Sequence, residues 1–115
     1  MQGLERLDLG NNRIQDIAPL AGLTGLTSLD LASNQIADMT PTLELTRLTL
    51  LNLSGNQITS IDMLMETERS SRLSVVCLAD NPLNKGIEYD DIAALKERGI
   101  VVAGLSPAHP GPKAL

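Results

Sequence analysis

Residues 26 to 36 read Leu-Thr-Ser-Leu-Asp-Leu-Ala-Ser-Asn-Gln-Ile, and this stretch decides the fold. Its framework, Leu-x-x-Leu-x-Leu-x-x-Asn-x-Ile, also begins 22 positions earlier at Leu4 and 22 positions later at Leu48. A fourth copy, with two conservative replacements, begins at Leu73, 25 positions after the third. A unit this short cannot bury its own apolar face, so neighbouring units must stack and share one core. The repeat therefore predicts a solenoid.

Alternating apolar residues at the centre of each repeat predict a short β-strand. In the first copy, Leu7 and Leu9 are expected to face the core, because a strand turns successive side chains to opposite faces. Stacked strands about 4.8 Å apart would form a parallel sheet. The inward residues would then make two columns: Leu7, Leu29, Leu51 and Val76, and beside them Leu9, Leu31, Leu53 and Leu78.

One asparagine recurs in every repeat, shortly after the predicted strand. The chain must turn sharply there, which leaves backbone N–H and C=O groups beneath the surface. An asparagine amide both donates and accepts hydrogen bonds, so it can satisfy such groups and link one turn to the next. We expect a structural ladder rather than ligand-binding amides, since buried amides are normally hydrogen-bonded. The buried ladder would contain Asn12, Asn34, Asn56 and Asn81.

The return segment behind each strand contains a proline in the first two repeats, Pro19 and Pro41. Proline disrupts a regular helix, so short irregular or 3₁₀ segments are expected there. The third repeat has Met63 at this position and contains three additional residues. A longer turn between Ser60 and Arg72 is expected, with a short helix over residues 62–68.

The pattern changes after the fourth asparagine. Asp90 can cap a helix over residues 89–99, and Gly99 can end it. The residues that follow, 100–102, are predicted to form a fifth strand. This helix and strand together would cap the last open layer of the core, as a terminal repeat requires.

These boundaries define one domain, residues 1–105, and a flexible Pro/Gly-rich tail, residues 106–115. The repeats of the domain are 4–25, 26–47, 48–72 and 73–99, with the cap strand at 100–102. No corresponding cap precedes Leu4, which already begins a full repeat. Terminal repeats normally need a polar outer face, so the bare N-terminal edge indicates either missing upstream repeats or self-association.

Composition limits the classes of partner. The chain has 14 acidic and 9 basic residues, and its net charge of −5 opposes binding to nucleic acid or anionic lipid. A single cysteine, Cys77, excludes an internal disulfide, and the first residues lack the basic and apolar regions of a signal peptide. No run approaches the roughly 20 apolar residues of a membrane span. We therefore expect a cytoplasmic protein that contacts neither nucleic acid nor membrane.

No set of residues supports catalysis. The single histidine, His109, lies in the predicted tail, so a nucleophilic pair with Cys77 is not expected. Candidate metal ligands do not cluster along the sequence. Asp8 and Asp30 occupy equivalent positions on adjacent strands, but two hydrated carboxylates without a low-dielectric pocket do not make a catalytic dyad. The sequence predicts a protein that is not an enzyme and binds no metal or cofactor.

The residues described above resemble the leucine-rich repeat family. The 22-residue form, with Asn12-x-Ile14-x-Asp16-Ile17-x-Pro19-Leu20, is similar to the class found in internalins and phosphatase-regulatory subunits. The segment from Asn81 to Val102 resembles the last repeat and cap common in bacterial members. The resemblance implies an α/β, right-handed solenoid with a concave parallel sheet, convex irregular or 3₁₀ segments and a C-terminal helix–strand cap. It also implies that the concave sheet binds proteins.

The leading functional prediction is a protein-interaction module that binds its partner on the concave sheet. The side chains expected to face the partner form two columns: Arg6, Ser28, Leu50 and Val75, and beside them Asp8, Asp30, Asn52 and Cys77. The alternative for Cys77 is a small, half-covered residue without a binding role. The alternative for the chain is a structural scaffold or spacer, a fragment of a larger leucine-rich repeat protein such as one linked to a kinase or GTPase.

Overall fold

Strands from successive repeats pair in sequence order. The computed structural model describes residues 4–59, 64, 72–82 and 95–103. Within these residues one sheet contains five strands: β1 (Arg6–Asp8), β2 (Ser28–Asp30), β3 (Leu50–Asn52), β4 (Val75–Cys77) and β5 (Val101–Ala103). Every neighbouring pair is parallel, and the spatial order is β1-β2-β3-β4-β5. The solenoid and the parallel sheet predicted from the repeat are confirmed.

The register of the sheet follows the spacing of the repeat. Equivalent residues lie directly opposite one another, and the predicted inward column is present: Leu7, Leu29, Leu51 and Val76. A constant repeat length explains this stacking, because each turn returns the chain to the same position on the solenoid. The three additional residues of the third repeat lie between β3 and β4 in the sequence and leave the register unchanged.

The return segments of the first two repeats are 3₁₀ helices, Ala18–Gly22 and Thr40–Glu44. Each carries its proline in the first turn, where the missing N–H breaks no hydrogen bond of the helix. The predicted short convex segments are therefore confirmed. In the third repeat Leu64 is a buried 3₁₀ residue, and the rest of the helix predicted over 62–68 lies outside the described residues.

The core runs along the solenoid between the sheet and the return segments. Framework residues are almost fully buried from the second repeat onward: Leu26, Leu31 and Ile36 each expose 0% of their surface. The first repeat differs, because nothing within the described residues stacks on its outer side. Its apolar side chains are only partly buried, with the exception of Ile17. They are Leu4, Leu7, Leu9, Ile14, Leu20 and Leu23.

The turn after each of the first four strands uses a left-handed backbone residue that the sequence analysis missed. The φ angle is positive at four equivalent positions: Asn11 (62°), Ser33 (61°), Gly55 (71°) and Asp80 (58°). Glycine adopts this region readily, and asparagine and aspartate more readily than most residues, because a Cβ is otherwise crowded there. A signal was present, since a small or Asx residue directly precedes each ladder asparagine.

The last described helical residues, 95–97, end at a glycine as predicted. Gly99 has a φ angle of 89°, and the N–H of Ile100 donates to Leu95 O at 2.8 Å. This bond across the glycine is typical of a helix C-cap, in which the residues on either side also make apolar contact. Leu95 and Ile100 accordingly both belong to the buried core. The start of the predicted helix, residues 89–94, lies outside the described residues.

The fifth strand begins one residue later than predicted. The sequence indicated residues 100–102, whereas β5 is Val101–Ala103 and its first residue pairs with Val75. The reason is that Ile100 is bonded to the helix end and buried beside it, so the strand starts after this residue. The tail predicted over 106–115 lies outside the described residues, and the domain boundaries stay predictions.

Candidate functional site

The outward side of the sheet, its concave face, carries two columns of side chains that follow from the strand register. The first column takes one residue from the start of each strand: Arg6, Ser28, Leu50, Val75 and Val101. The second takes one residue from the end of each strand: Asp8, Asp30, Asn52, Cys77 and Ala103. The structure brings together the eight residues that the sequence placed on this face. Their role in binding stays a prediction.

The C-terminal half of the concave face is apolar. Leu50 and Val101 are 41% and 49% exposed, and they are the two large apolar side chains that are exposed within the described residues. Val75 lies between them in the first column and is half-buried. Cys77 and Ala103, in the second column, are also half-buried. These five residues together are called the apolar patch.

Val101 and Ala103 were missed because the sequence analysis gave bounds for the fifth strand but assigned none of its side chains to the concave face. Every residue of this strand is apolar, so alternation could not show which side chains face the core. The signal that could have placed the start of the strand is Gly99. A helix that ends at glycine places the next residue, Ile100, against its last turn, so the strand must begin beyond it.

The N-terminal half of the concave face is polar, and its acidic side chains also close the turns. Asp8 Oδ1 accepts a hydrogen bond from the backbone N–H two residues later, at 2.9 Å. Asp30 and Asn52 accept the equivalent bonds at 3.0 and 3.1 Å. Such Asx turns reverse the chain after a strand. Each aspartate therefore uses its Oδ1 atom to close a turn of the fold.

In β4, Cys77 occupies the position at which each of the first three strands carries an aspartate or asparagine that closes the turn. A thiol is a weak hydrogen-bond acceptor compared with a carboxylate or an amide. Cys77 is a free, half-buried thiol and lies between Asn52 and Ala103 in the second column. The replacement makes the end of this column apolar, and it places the chain's single cysteine inside the apolar patch.

A ladder of asparagine amides joins neighbouring turns of the solenoid. Asn34 Nδ2 donates to Leu9 O in the previous repeat at 3.0 Å, and to a carbonyl of its own turn at 3.0 Å. The Oδ1 atom of the same residue accepts the N–H of Ile14 at 3.0 Å. Asn56 and Asn81 make the equivalent bonds at 2.8 to 3.2 Å. One side chain per repeat therefore satisfies backbone groups of two turns.

The expectation of a fully buried ladder is wrong at its first position. Asn12 is exposed, and within the described residues its Nδ2 donates only inside its own turn, with Leu9 O at 2.8 Å. Asn34 and Asn56 are 5% and 3% exposed, and Asn81 is half-buried. The physical reason is that a ladder amide is buried by the turn that precedes it, and no described turn precedes the first repeat.

Among the described residues, the carboxyl group of Asp38 has a perturbed pKa. The Thr40 hydroxyl donates to Asp38 Oδ1 at 2.6 Å, and the Thr40 backbone N–H donates to the same oxygen at 2.9 Å. The bond from the hydroxyl has the larger effect, and the bond from the N–H has the smaller one. Both lower the pKa of Asp38 below its usual 3.8, because they stabilise the charged carboxylate. Asp16, at the equivalent position, accepts the backbone N–H of Ala18 at 2.9 Å, where no hydroxyl is available.

Other kinds of site were not found in the described ranges. Within residues 4–59, 64, 72–82 and 95–103, no three His, Cys, Asp or Glu side chains are placed to hold a metal ion. In the same part of the chain, no helix has the length and apolar character to cross a membrane. The concave face is the candidate functional site because it carries the exposed apolar side chains Leu50 and Val101.

Family comparisons agree with this architecture. A model of two leucine-rich repeats matches residues 2–45, and a model of one leucine-rich repeat matches residues 47–65. Together the matches span more than half of the 115 residues. The chain belongs to the leucine-rich repeat family.

Solved structures make the comparison more specific. Internalin C2 of Listeria monocytogenes is 34% identical, matches 89% of this chain and has a TM-score of 0.68. The internalin inlF of the same organism is 30% identical, matches 91% of this chain and has a TM-score of 0.66. The chain is thus an internalin-like leucine-rich repeat protein, and it spans 43% and 32% of the length of these two proteins. A comparison with curated protein sequences gave no match.

Proposed function

We propose that this chain is a non-catalytic interaction module that binds a protein partner on its concave sheet. The observation that carries the proposal is the apolar patch, where Leu50 and Val101 are 41% and 49% exposed on either side of Val75. Burying such side chains against a partner is favourable, because it removes apolar surface from water. The leucine-rich repeat family and the similarity to internalins support an interaction role.

The composition of the patch defines the kind of partner that it would bind. Interfaces usually depend on a few aromatic or arginine anchors, but this chain has no Phe and no Trp. The five residues of the patch offer aliphatic carbon, a methyl group and a thiol rather than rings. The partner would therefore supply the large anchoring side chain, and the apolar patch would supply the surface that covers it.

The acidic residues beside the patch favour a partner with a basic rim. Asp8 and Asp30 lie in the second column, and the whole chain has a net charge of −5. Charges at the edge of an interface act mainly on the association rate, and salt weakens their effect. Binding would accordingly become slower at high ionic strength, while the apolar contact would keep the dissociation rate nearly constant.

The single cysteine allows a direct test of this surface. A photoreactive benzophenone maleimide attached to Cys77 would stand inside the apolar patch and capture a bound protein under light. We expect capture from an extract of cells that produce this chain, and loss of capture in the Leu50→Glu, Val101→Glu double variant. Both side chains are exposed, so the added charges should prevent desolvation of the patch without changing the melting curve.

A matched control moves the same probe to the convex side. In the Cys77→Ser, Ala18→Cys variant the probe is attached at an exposed position of the first 3₁₀ helix. This probe should capture less of the same protein than the Cys77 probe does. The proposal is wrong if the convex probe captures the partner and the capture survives the double substitution in the apolar patch.

A second candidate is a scaffold or spacer within a larger leucine-rich repeat protein. Two observations favour it: the first repeat leaves apolar side chains such as Leu7 and Leu9 partly exposed, and the chain spans less than half of each internalin. Sequencing the full gene product would show whether a catalytic domain, for example a kinase or GTPase, is attached. The scaffold hypothesis would then require that the Leu50→Glu substitution leave the function of the full product unchanged.

The proposed location is the cytoplasm, where the partner would be a protein and neither nucleic acid nor membrane. The single Cys77 requires no oxidising compartment, and the net negative charge opposes phosphate backbones and anionic lipid. Cell fractionation with an antibody against the chain tests the location. Recovery in the culture medium or in the membrane fraction would contradict it.

A further inference from the structure

Within the described residues, the two strands beneath the centre of the apolar patch are paired along both edges. β3 pairs with β2 and β4, and β4 pairs with β3 and β5. The N–H of Val75 donates to Thr49 O at 3.0 Å, for example, and Cys77 O accepts the N–H of Leu53 at 2.9 Å. A partner therefore cannot add a strand to the sheet at this position. It must approach the patch from the face of the sheet, where it meets side chains only.

The side chains of the patch offer a partner few hydrogen bonds. Leu50, Val75, Val101 and Ala103 end in hydrocarbon, and the Cys77 thiol is a weak donor and acceptor. An extended peptide laid on this surface would bury backbone N–H and C=O groups without partners, which is unfavourable for each group. An α-helix forms these bonds within itself, so it can cover an apolar surface without that loss. The patch therefore fits a helix better than an extended segment.

The acidic side chains of the concave face lie on one side of the patch. Asp8 and Asp30 are directly opposite each other on β1 and β2, whereas Asn52, the next residue of the second column, is uncharged. Like charges in this arrangement repel. Arg6 shares the face of β1 with Asp8, but the equivalent residue beside Asp30 is Ser28. A basic side chain from a partner would therefore be most favourable at Asp30.

We propose that the concave face binds one amphipathic α-helix of the partner protein, with apolar side chains on the apolar patch and a basic side chain at Asp30. This inference rests on the proposed function and specifies its partner. Strands about 4.8 Å apart make the patch about 10 Å long from β3 to β5, and a helix that rises about 1.5 Å per residue spans it with anchors at i, i+3 and i+7. Asp30 lies one strand before Leu50, so the basic residue belongs at i−4, one helical turn before the first anchor.

A designed peptide tests the shape of the partner. The probe is a lactam-stapled helix of about 16 residues, because an unstapled helix of this length is only marginally stable in water. It carries Phe at i, Leu at i+3 and i+7, Lys at i−4, and a fluorophore. The control peptide has the same four residues but no staple, and prolines on its other side prevent a helix. Fluorescence anisotropy should show that the probe binds about tenfold more tightly than the control, or better still.

Variants of the full chain test where the helix binds. Leu50→Gln should weaken binding of the probe about tenfold or more, because it puts a polar group in the patch without adding a charge that attracts lysine. Asp30→Asn should weaken binding about two- to fivefold, the range for an ion pair near water, and should reduce its salt dependence. Asparagine can still close this turn, as Asn52 does in β3. Asp16→Asn is the matched control on the convex side and should leave the affinity unchanged.

A double-mutant cycle tests the contact at Asp30. Replacing the probe's Lys by Gln should weaken binding to the unmodified chain, but it should have little further effect on the Asp30→Asn variant. Independent effects of the two changes would overturn the placement of the basic side chain. Absence of probe binding at millimolar concentration, or binding that survives Leu50→Gln, would overturn the helix proposal.

Failure of this inference can be distinguished from failure of the proposed function. If the probe and the control peptide bind equally well, and Leu50→Gln weakens both, the partner element is not a helix, but the concave face still binds it. The capture experiment at Cys77 does not depend on the shape of the partner, and it decides the proposed function separately. A tight helical probe, a weak control and a coupled cycle at Asp30 together support the inference.

Discussion

At the scale of the residue, the same amide has different consequences in a covered and an uncovered turn. Asn34 is 5% exposed and bonds to backbone groups of two repeats, whereas Asn12 is exposed and bonds within one. Water can replace the bonds of an exposed amide, but it cannot reach the partners of a buried one. The two residues are therefore a matched pair for measuring what the ladder contributes.

We expect Asn34→Ala to destabilise the fold by about 1–3 kcal/mol, because the part-buried N–H of Ile14 loses its partner and the carbonyls of Leu9 and Leu31 each lose one of their two amide donors. Asn12→Ala should cost clearly less, because its amide and the groups that it contacts are open to water. Urea melts of the two variants measure the difference. Equal losses at the two positions, or no loss at Asn34, would contradict the structural role of the ladder.

The hydroxyl of Thr40 supplies a second test at this scale. Since it lowers the pKa of Asp38 in the folded state below the usual 3.8, the bond stabilises the fold above pH 3.8, and this contribution is lost as the pH falls through the folded-state pKa. Thr40→Val should raise the pKa of Asp38, whereas Thr40→Ser should preserve most of the shift. Carbon-13 NMR titration of the carboxyl group measures both; an unchanged pKa in the valine variant would rule out the hydroxyl as the main cause.

At the scale of the element, each strand is three residues long and depends on the turn that follows it. Gly55 occupies one of these turns with a φ angle of 71°, and an added Cβ would meet the backbone of Ser33 at 3.4 Å, an ordinary contact. The cost of Gly55→Ala should therefore come from the left-handed conformation, at about 1–2 kcal/mol. Gly22→Ala is the control, because nothing lies within 4 Å of that position. Thermal melts that place both variants at the same stability would show that the turn does not constrain the strand.

A strand with alternating polar and apolar side chains could be predicted more completely than a strand that is apolar throughout. In the first strand, polar and apolar side chains alternate, and the inward column Leu7, Leu29, Leu51 and Val76 could be read directly. In β5 every residue is apolar, so alternation does not show which side chains face the core, and the strand was predicted to start one residue early. Val101, the more exposed of the two large side chains in the apolar patch, was therefore not assigned to the concave face from the sequence. The candidate site was therefore predictable over four strands, but its C-terminal end required the structure.

At the scale of the whole molecule, each repeat is stabilised chiefly by its two neighbours. The exposure of equivalent framework side chains therefore shows how well each layer of the core is covered by its neighbours. Leu9 is partly buried, whereas Leu31 and Leu53 each expose 0% of their surface. The same leucine in the same framework position thus loses different amounts of contact when it is truncated.

The final prediction compares these three leucines. Leu31→Ala and Leu53→Ala should each cost about 2–5 kcal/mol, because removal of a buried side chain loses transfer free energy and leaves a cavity. Leu9→Ala should cost less in dilute solution, where water already reaches its layer. Denaturant melts of the three variants measure these costs, and equal costs would contradict the difference in burial between Leu9 and the other two leucines.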